Sequence, residues 1–259
     1  MHLSKEAVEE FQCQGYLKID HQLIENGHLE ILRQQYDQIF VEHKNNDGQG
    51  LRNLAVTEGA TSQRPTEMLQ IMEMWQKNEQ FYKLLFHQPL LDIAESLIGK
   101  NIQLFHDQSL YKPAHIGGEV PWHQDNGYWR CSPPNLVSIW IALDDADEDN
   151  GCMNVIPKSY AEGGLGHTQA KSEGKELPAL LMANIDNSQA VPVPLLAGHG
   201  MVHHCLTLHQ TNPNNSSRDR RAMVIHYMPV GTQNSKGEIL AENLLLRGVN
   251  HFNTEYISK

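Results

Sequence analysis

Apolar residues in the first hundred positions recur at helical spacing. Leu29, Leu32, Tyr36, Ile39 and Phe40 fall three or four apart and share one helical face. A shorter helix is expected over "SKEAVEEFQCQG", where Ser4 can cap the first turn and Gly15 ends the last. Residues 45–64, "NNDGQGLRNLAVTEGATSQR", are polar and read as a loop. From residue 66 to 98 the pattern predicts two or three short helices, the last opened by Pro89 and stopped by Gly99. Beyond residue 101 the composition turns to that of strands, over 101–112, 136–145, 152–157, 200–209 and 222–229. The turn signals "HIGGEVP", "CSPPN", "DEDNG" and "TNPNNSS" separate them. Helices first and strands afterwards imply an antiparallel β core with helices packed on one side, not alternating βαβ units. No repeat, low-complexity segment or flexible linker divides the chain, so residues 1–259 are expected to be one domain, mainly helical over 1–100 and mainly β over 101–259. The connection 161–195 is too long for a plain hairpin and is expected to be a lid-like cover.

Composition narrows the function classes. Hydrophobic residues make up 40% and charged residues 20% of the 259, ordinary for a chain that buries a core. A formal net charge of −11 would repel phosphate-rich partners, so nucleic acid is not an expected ligand, although a local pocket for a small anion is compatible with it. No apolar run is long enough to span a membrane, and "MHLSKEAVEEF" lacks the order of a signal peptide, so the expected location is cytoplasmic. Cys13, Cys131, Cys152 and Cys205 are scattered, which predicts reduced, mostly buried thiols and argues against a zinc–thiolate site. The run "DDADEDNG" lacks the spaced ligands of a calcium loop and reads as a solvated connection.

Histidine is unusually frequent, with fifteen residues, so spacing has to pick out any ligands. In "PWHQDNGYW", His123 and Asp125 lie two apart and would project together from an extended strand. A later segment, "HQTNPNNSSRDRRAMVIHYM", places His209 at the end of an apolar strand and Arg220 eleven residues further on. Two histidines and a carboxylate form the facial triad of non-haem Fe(II) oxygenases, which leaves coordination positions open. An arginine nearby can grip a carboxylate with a planar fork that lysine does not reproduce. Together these groups ask for a 2-oxo acid. Arg218 and Arg221 are rival carboxylate partners, but Arg221 would face the other way from Arg220 in an extended segment. Of the adjacent pair His203 and His204, at most one can point inward. His226 reads as a core or pocket histidine, and His106 shares a strand face with Gln108. Trp75, Trp122, Trp129 and the Met-rich "EMLQIMEMW" read as core or pocket wall.

With these motifs in place, the chain resembles the phytanoyl-CoA dioxygenase family of Fe(II)/2-oxoglutarate oxygenases. "VPWHQDNGYW" is similar to the family's first ligand motif, "LVSIWIALDDADEDNGCMNVIPKSY" to its strand and acidic turn, and "HQTNPNNSSRDRRAMVIHYMP" to its distal ligand segment. "EEFQCQGYLKI" also fits, so the resemblance covers nearly the whole chain. It implies a double-stranded β-helix (jelly-roll, cupin-like) core with N-terminal helices buttressing one sheet. It implies His123, Asp125 and His209 as iron ligands, Arg220 as the partner of the far carboxylate of 2-oxoglutarate, and Thr211 and Trp140 beside that cosubstrate. Gln108 and Lys112 fall where the family places pocket residues, and their four-residue separation puts both on one strand face. Lys158 and Tyr160 stand where the family often has Gly and His. The implied reaction uses Fe(II), 2-oxoglutarate and O2 to hydroxylate a C–H bond of a small molecule, releasing succinate and CO2. Halogenating relatives replace the carboxylate with a small residue, whereas Asp125 is present. The alternatives are an enzyme using another metal on the same barrel, and a non-catalytic module that binds a ligand or partner. Nothing in the sequence names the substrate or the oligomeric state.

Overall fold

The computed structural model describes residues 2–45, 49–55, 67–172 and 175–253. The chain begins with α1 (Lys5–Gln14), whose Ala7 N–H donates to the Ser4 hydroxyl at 3.2 Å; Gly15 closes it at φ 81°, a conformation that glycine adopts without strain. A short strand, β1 (Tyr16–Lys18), leads to α2 (Asn26–Asn45), which buries Leu29, Leu32, Tyr36, Ile39 and Phe40, the stripe seen in the sequence. Next come β2 (Leu51–Asn53), β3 (Leu69–Met72), α3 (Met74–Lys77), α4 (Glu79–Leu85) and α5 (Gln88–Ile98). The β region follows as β4 (Ile102–Lys112), β5 (Val120–His123), the short helix α6 (Asp125–Trp129), β6 (Val137–Ala142) and β7 (Met153–Val155). After a 3-10 turn at Ser159–Glu162 come β8 (Thr168–Ser172), β9 (Lys175–Met182), β10 (Val191–Val193), β11 (Gly200–His204), β12 (His209–Thr211), β13 (Arg220–Pro229) and β14 (Leu245–Arg247).

Two antiparallel sheets face one another. The larger runs β1-β11-β6-β13-β4-β3-β2, with β14 also paired to β4, and the smaller runs β10-β7-β12-β5. Strands β8 and β9 form a separate hairpin. This is the double-stranded β-helix, with the helices against the outer face of the larger sheet. The period-two alternation of β13 shows how the layers form. Met223, Ile225 and Tyr227 point outward into a cluster with Phe11 of α1, Leu32 of α2, Phe81 of α4 and Ile93 of α5. Ala222 and Val224 point inward with Trp140, against Met153, Val155 and Val193 of the smaller sheet. Each fully buried aliphatic side chain of this kind stabilises the fold by about 1.5–3 kcal/mol.

The helices-then-strands reading needs three corrections. Leu69–Met72, expected to be helical, is a strand whose residues alternate buried and half-buried, because β4 offers it an edge with Met72 opposite Gln108. Pairing across the sheet overrides the helical propensity of "EMLQIMEMW". The run 200–209 is not one strand: a turn in which Thr207 N–H donates to His204 O at 2.8 Å separates β11 in the larger sheet from β12 in the smaller. Asp125 does not continue an extended strand either. β5 stops at His123, and Asp125 opens α6. Of the expected loop at 45–64, residues 46–48 and 56–64 lie outside the described residues, and Leu51–Asn53 forms β2. Among the described residues, no helix is long and apolar enough to cross a membrane.

Candidate active site

His123 and His209 are direct partners across the β5–β12 pair, with ring centroids 4.2 Å apart. The Nδ1 of His123 donates to Pro121 O at 2.7 Å, and that of His209 to Thr207 O at 3.0 Å. A carbonyl only accepts, so both Nδ1 atoms carry the proton and both Nε2 atoms present lone pairs. The two Nε2 atoms lie 3.8 and 3.6 Å from the same carboxylate oxygen, Asp125 Oδ1. One ligand atom from each of the three residues thus falls within 4.8 Å of the others, in a buried cluster suited to a metal ion. Burial pushes the pKa of both histidines down, which keeps them neutral as metal ligation requires. Burial alone would raise that of Asp125, but the hydrogen bond from His203 helps to outweigh it and hold the carboxyl well below the usual carboxylate range.

The second carboxylate oxygen is held apart from this cluster. Asp125 Oδ2 accepts from Ser138 Oγ at 2.8 Å and from His203 Nε2 at 3.0 Å. His203 is therefore the inward member of its pair, whereas His204 packs against Tyr160 with the rings tilted by 51° and accepts from Leu206 N–H. Ser138 and His226 contribute to the site although the sequence pointed to no such pairing. The signal lies in the strand register: His203 sits opposite Ser138, Ser138 opposite His226, and His226 opposite His106, one polar row across four strands. At the position of the departure Tyr160, the hydroxyl reaches the Gln12 carbonyl and ties the 3-10 turn to α1.

Arg220 begins β13 on the same inward face as Ala222 and Val224, fully buried, with its guanidinium carbon 5.4 Å from the Trp140 ring centroid. None of its three guanidinium nitrogens has a hydrogen-bond partner among the described residues, and the same holds for Thr211 Oγ1 and Trp140 Nε1. Burial lowers the Arg220 pKa to about 10, which leaves it charged at neutral pH. A buried cation without a partner is strongly unfavourable alone and matches a bidentate anion. The rivals are engaged elsewhere: Arg221 with Asp144 and Asp37, and exposed Arg218 with Asp147.

A cavity of about 330 Å³ joins the two ends of the site, and His123, Asp125, His209, Thr211, Trp140 and Arg220 all line it. Gln108, His106, His226 and Trp129 form one wall, and apolar Leu54, Met68 and Leu180 another. Lys112, although on the same strand face as Gln108, is not on the cavity wall. Its Nζ donates to Thr211 O at 3.2 Å and to Asn212 O, so it braces the end of β12 from behind. Burial and then Arg220 push its pKa well below the ordinary lysine value. The long connection touches the site through β9, where Leu181 N–H donates to Tyr128 OH at 2.7 Å.

Fold and site together define a class: a jelly roll carrying a two-histidine, one-carboxylate cluster and an inward arginine on the larger sheet. The chain belongs to the phytanoyl-CoA dioxygenase family, whose family model matches residues 11–222. It is 35% identical over 128 residues to phytanoyl-CoA dioxygenase domain-containing protein 1 of Bos taurus, covering 47% of this chain and 44% of that protein. To the peroxisomal phytanoyl-CoA dioxygenase of Mus musculus it is 24% identical over 225 residues, 84% of this chain and 66% of that one. The chain spans about half the length of the first curated relatives it matches. Among solved structures, the non-heme alpha ketoglutarate dependent carbocyclase SnoK from nogalamycin biosynthesis superposes with a TM-score of 0.75 at 22% identity, covering 94% of this chain and 96% of that one. At that identity the likeness concerns the fold.

Proposed function

We propose that this protein is a non-haem Fe(II)- and 2-oxoglutarate-dependent dioxygenase that hydroxylates a C–H bond of a small molecule. The observation that carries the reading is one cavity with complementary ends: three preset ligand atoms at one, a buried guanidinium without a partner at the other. In this reading His123, Asp125 and His209 hold the iron. Arg220 takes the far carboxylate of 2-oxoglutarate, with the Thr211 hydroxyl and the Trp140 indole N–H as further contacts. Gln108 lines the substrate side, and Lys112 keeps β12 in place. When bound, iron and 2-oxoglutarate supply oxidising chemistry: O2 is reduced while 2-oxoglutarate becomes succinate and CO2 and a substrate C–H bond is oxidised.

The protein's own contribution is positional. Backbone carbonyls fix which nitrogen each histidine presents, and accepting the Nδ1 proton also raises the basicity of Nε2. Trp140, Val224 and Met153 form dry walls around the arginine, and the low dielectric strengthens its grip on a carboxylate. The residue types distinguish the rivals: an enzyme using another metal has no need of a buried arginine fork beside the triad, and a module that only binds a ligand or partner has no need of three preset ligand atoms. The reading takes residues 1–259 as one dioxygenase domain. It places the protein in the cytoplasm, in keeping with four unpaired cysteines.

Anaerobic titration of the Fe(II)-loaded protein with 2-oxoglutarate tests this. A weak visible charge-transfer band is expected to grow in, and Arg220→Ala is expected to need about 10- to 100-fold more 2-oxoglutarate, the worth of a charge-assisted bidentate contact. Stoichiometric iron without a band would favour the other-metal or binding-module alternatives.

A further inference from the structure

We infer that Gln70, Gln108, His226 and Ser138 form a one-directional hydrogen-bond relay that runs from the cavity wall to Asp125 and fixes that carboxylate as a one-oxygen ligand. The inference rests on the metal-site reading above and adds positioning residues to it. Proton bookkeeping supplies the direction. Ionised Asp125 can only accept, so the single hydroxyl proton of Ser138 is committed to Oδ2 at 2.8 Å. Towards His226, Ser138 Oγ is then an acceptor, and the 2.7 Å contact requires the proton on His226 Nδ1. His226 is 1% exposed, and its Nε2 faces the Gln108 amide nitrogen, which only donates, so that Nε2 is a lone pair. That lone pair takes the Gln108 amide N–H at 3.0 Å. The Gln108 carbonyl oxygen accordingly faces the Gln70 amide N–H, which donates to it.

Each member therefore donates to the next, and every donor in the line points towards Asp125. Aligned hydrogen bonds polarise one another in a low-dielectric interior, so the line strengthens its last bond. With His203 Nε2 as a second donor at 3.0 Å, Oδ2 is fully occupied and Oδ1 alone faces the two histidine Nε2 atoms. The sheet makes the row rigid, because His203, Ser138 and His226 are direct cross-strand neighbours on β11, β6 and β13. Its outer end, Gln70 and Gln108, is on the wall of the cavity.

The test uses Co(II) as a spectroscopic probe of the whole 259-residue chain, without turnover. Ser138→Ala is expected to weaken Co(II) binding about tenfold, as loss of an outer-shell partner does. It should also change the visible d–d bands as Oδ2 is freed to coordinate, with Ser138→Thr restoring both. His226→Asn, whose amide nitrogen can take the place of Nδ1–H, is expected to keep the wild-type bands, whereas His226→Leu shifts them; this pair serves if Ser138→Ala does not fold. Unchanged bands and affinity within twofold in Ser138→Ala, or equal spectra for His226→Asn and His226→Leu, would overturn the relay. Asp125→Ala is the separate control. If it binds Co(II) as tightly as wild type, the metal-site reading itself fails.

Discussion

Asp107 and Gln108 are neighbours on β4 that face opposite ways, and only one of them has a chemical use in the cavity. Gln108 lines it, whereas Asp107 is buried on the helical side, where Trp75 N–H donates to Oδ2 at 3.1 Å and Oδ1 has no hydrogen-bond partner among the described residues. Burial, and then Glu73, push the Asp107 pKa up to about 8. A folded pKa above the unfolded value of about 3.9 means that the proton stabilises the folded state. This contribution is fully present below about pH 4 and is lost as pH rises through about 8. Asp107→Asn should therefore match wild type in stability near pH 4 and exceed it by pH 9, by roughly a few kcal/mol at about 1.4 kcal/mol per pKa unit, with a correspondingly higher Tm. A Tm difference that stays constant with pH would count against the burial of that charge. The same alternation let the sequence separate Arg220 from Arg221. It could not reveal Ser138 or His226 as neighbours of Asp125, because strand register is set by pairing across the sheet and not by spacing along the chain.

At the scale of elements, β13 joins helical buttress and site in one strand. Its outward residues belong to the core with α1, α2, α4 and α5, and its inward residues run from Arg220 to His226 along the cavity. Ile225→Ala removes outward, fully buried volume and should cost about 2–5 kcal/mol in urea unfolding. Co(II) affinity should stay within about threefold, since effects at sites without shared partners add nearly independently. A large loss of affinity would mean that the two faces are coupled. The long helix α2 was legible from its three- and four-residue apolar spacing, and the strands β4, β6 and β13 from strand composition sustained over six or more residues. Strands β1, β2 and β3 were not. Three or four residues carry too little periodicity, and what makes them strands is the sheet edge each finds: β11 for β1, β4 for β3, and β3 in turn for β2.

For the molecule as a whole, the arrangement predicts that the metal adds stability without building the fold. Each candidate ligand is already held by the protein: His123 by Pro121 O, His209 by Thr207 O, and Asp125 by Ser138 and His203. The two large apolar clusters, one between helices and sheet and one between sheets, include none of the three. The 22% identity to a structure sharing 94% of this chain fits a scaffold specified by its core pattern and not by particular side chains. Chelation should therefore leave a cooperative thermal transition. Metal present at about 100 times its dissociation constant stabilises by about 2.7 kcal/mol. For a chain of this size each kcal/mol shifts Tm by about 2–4 °C, so removing the metal should lower Tm by roughly 5–10 °C in calorimetry. If chelation abolished the transition, the triad would be a structural metal site that the fold requires, and the open coordination that oxygenase chemistry needs would lose its support.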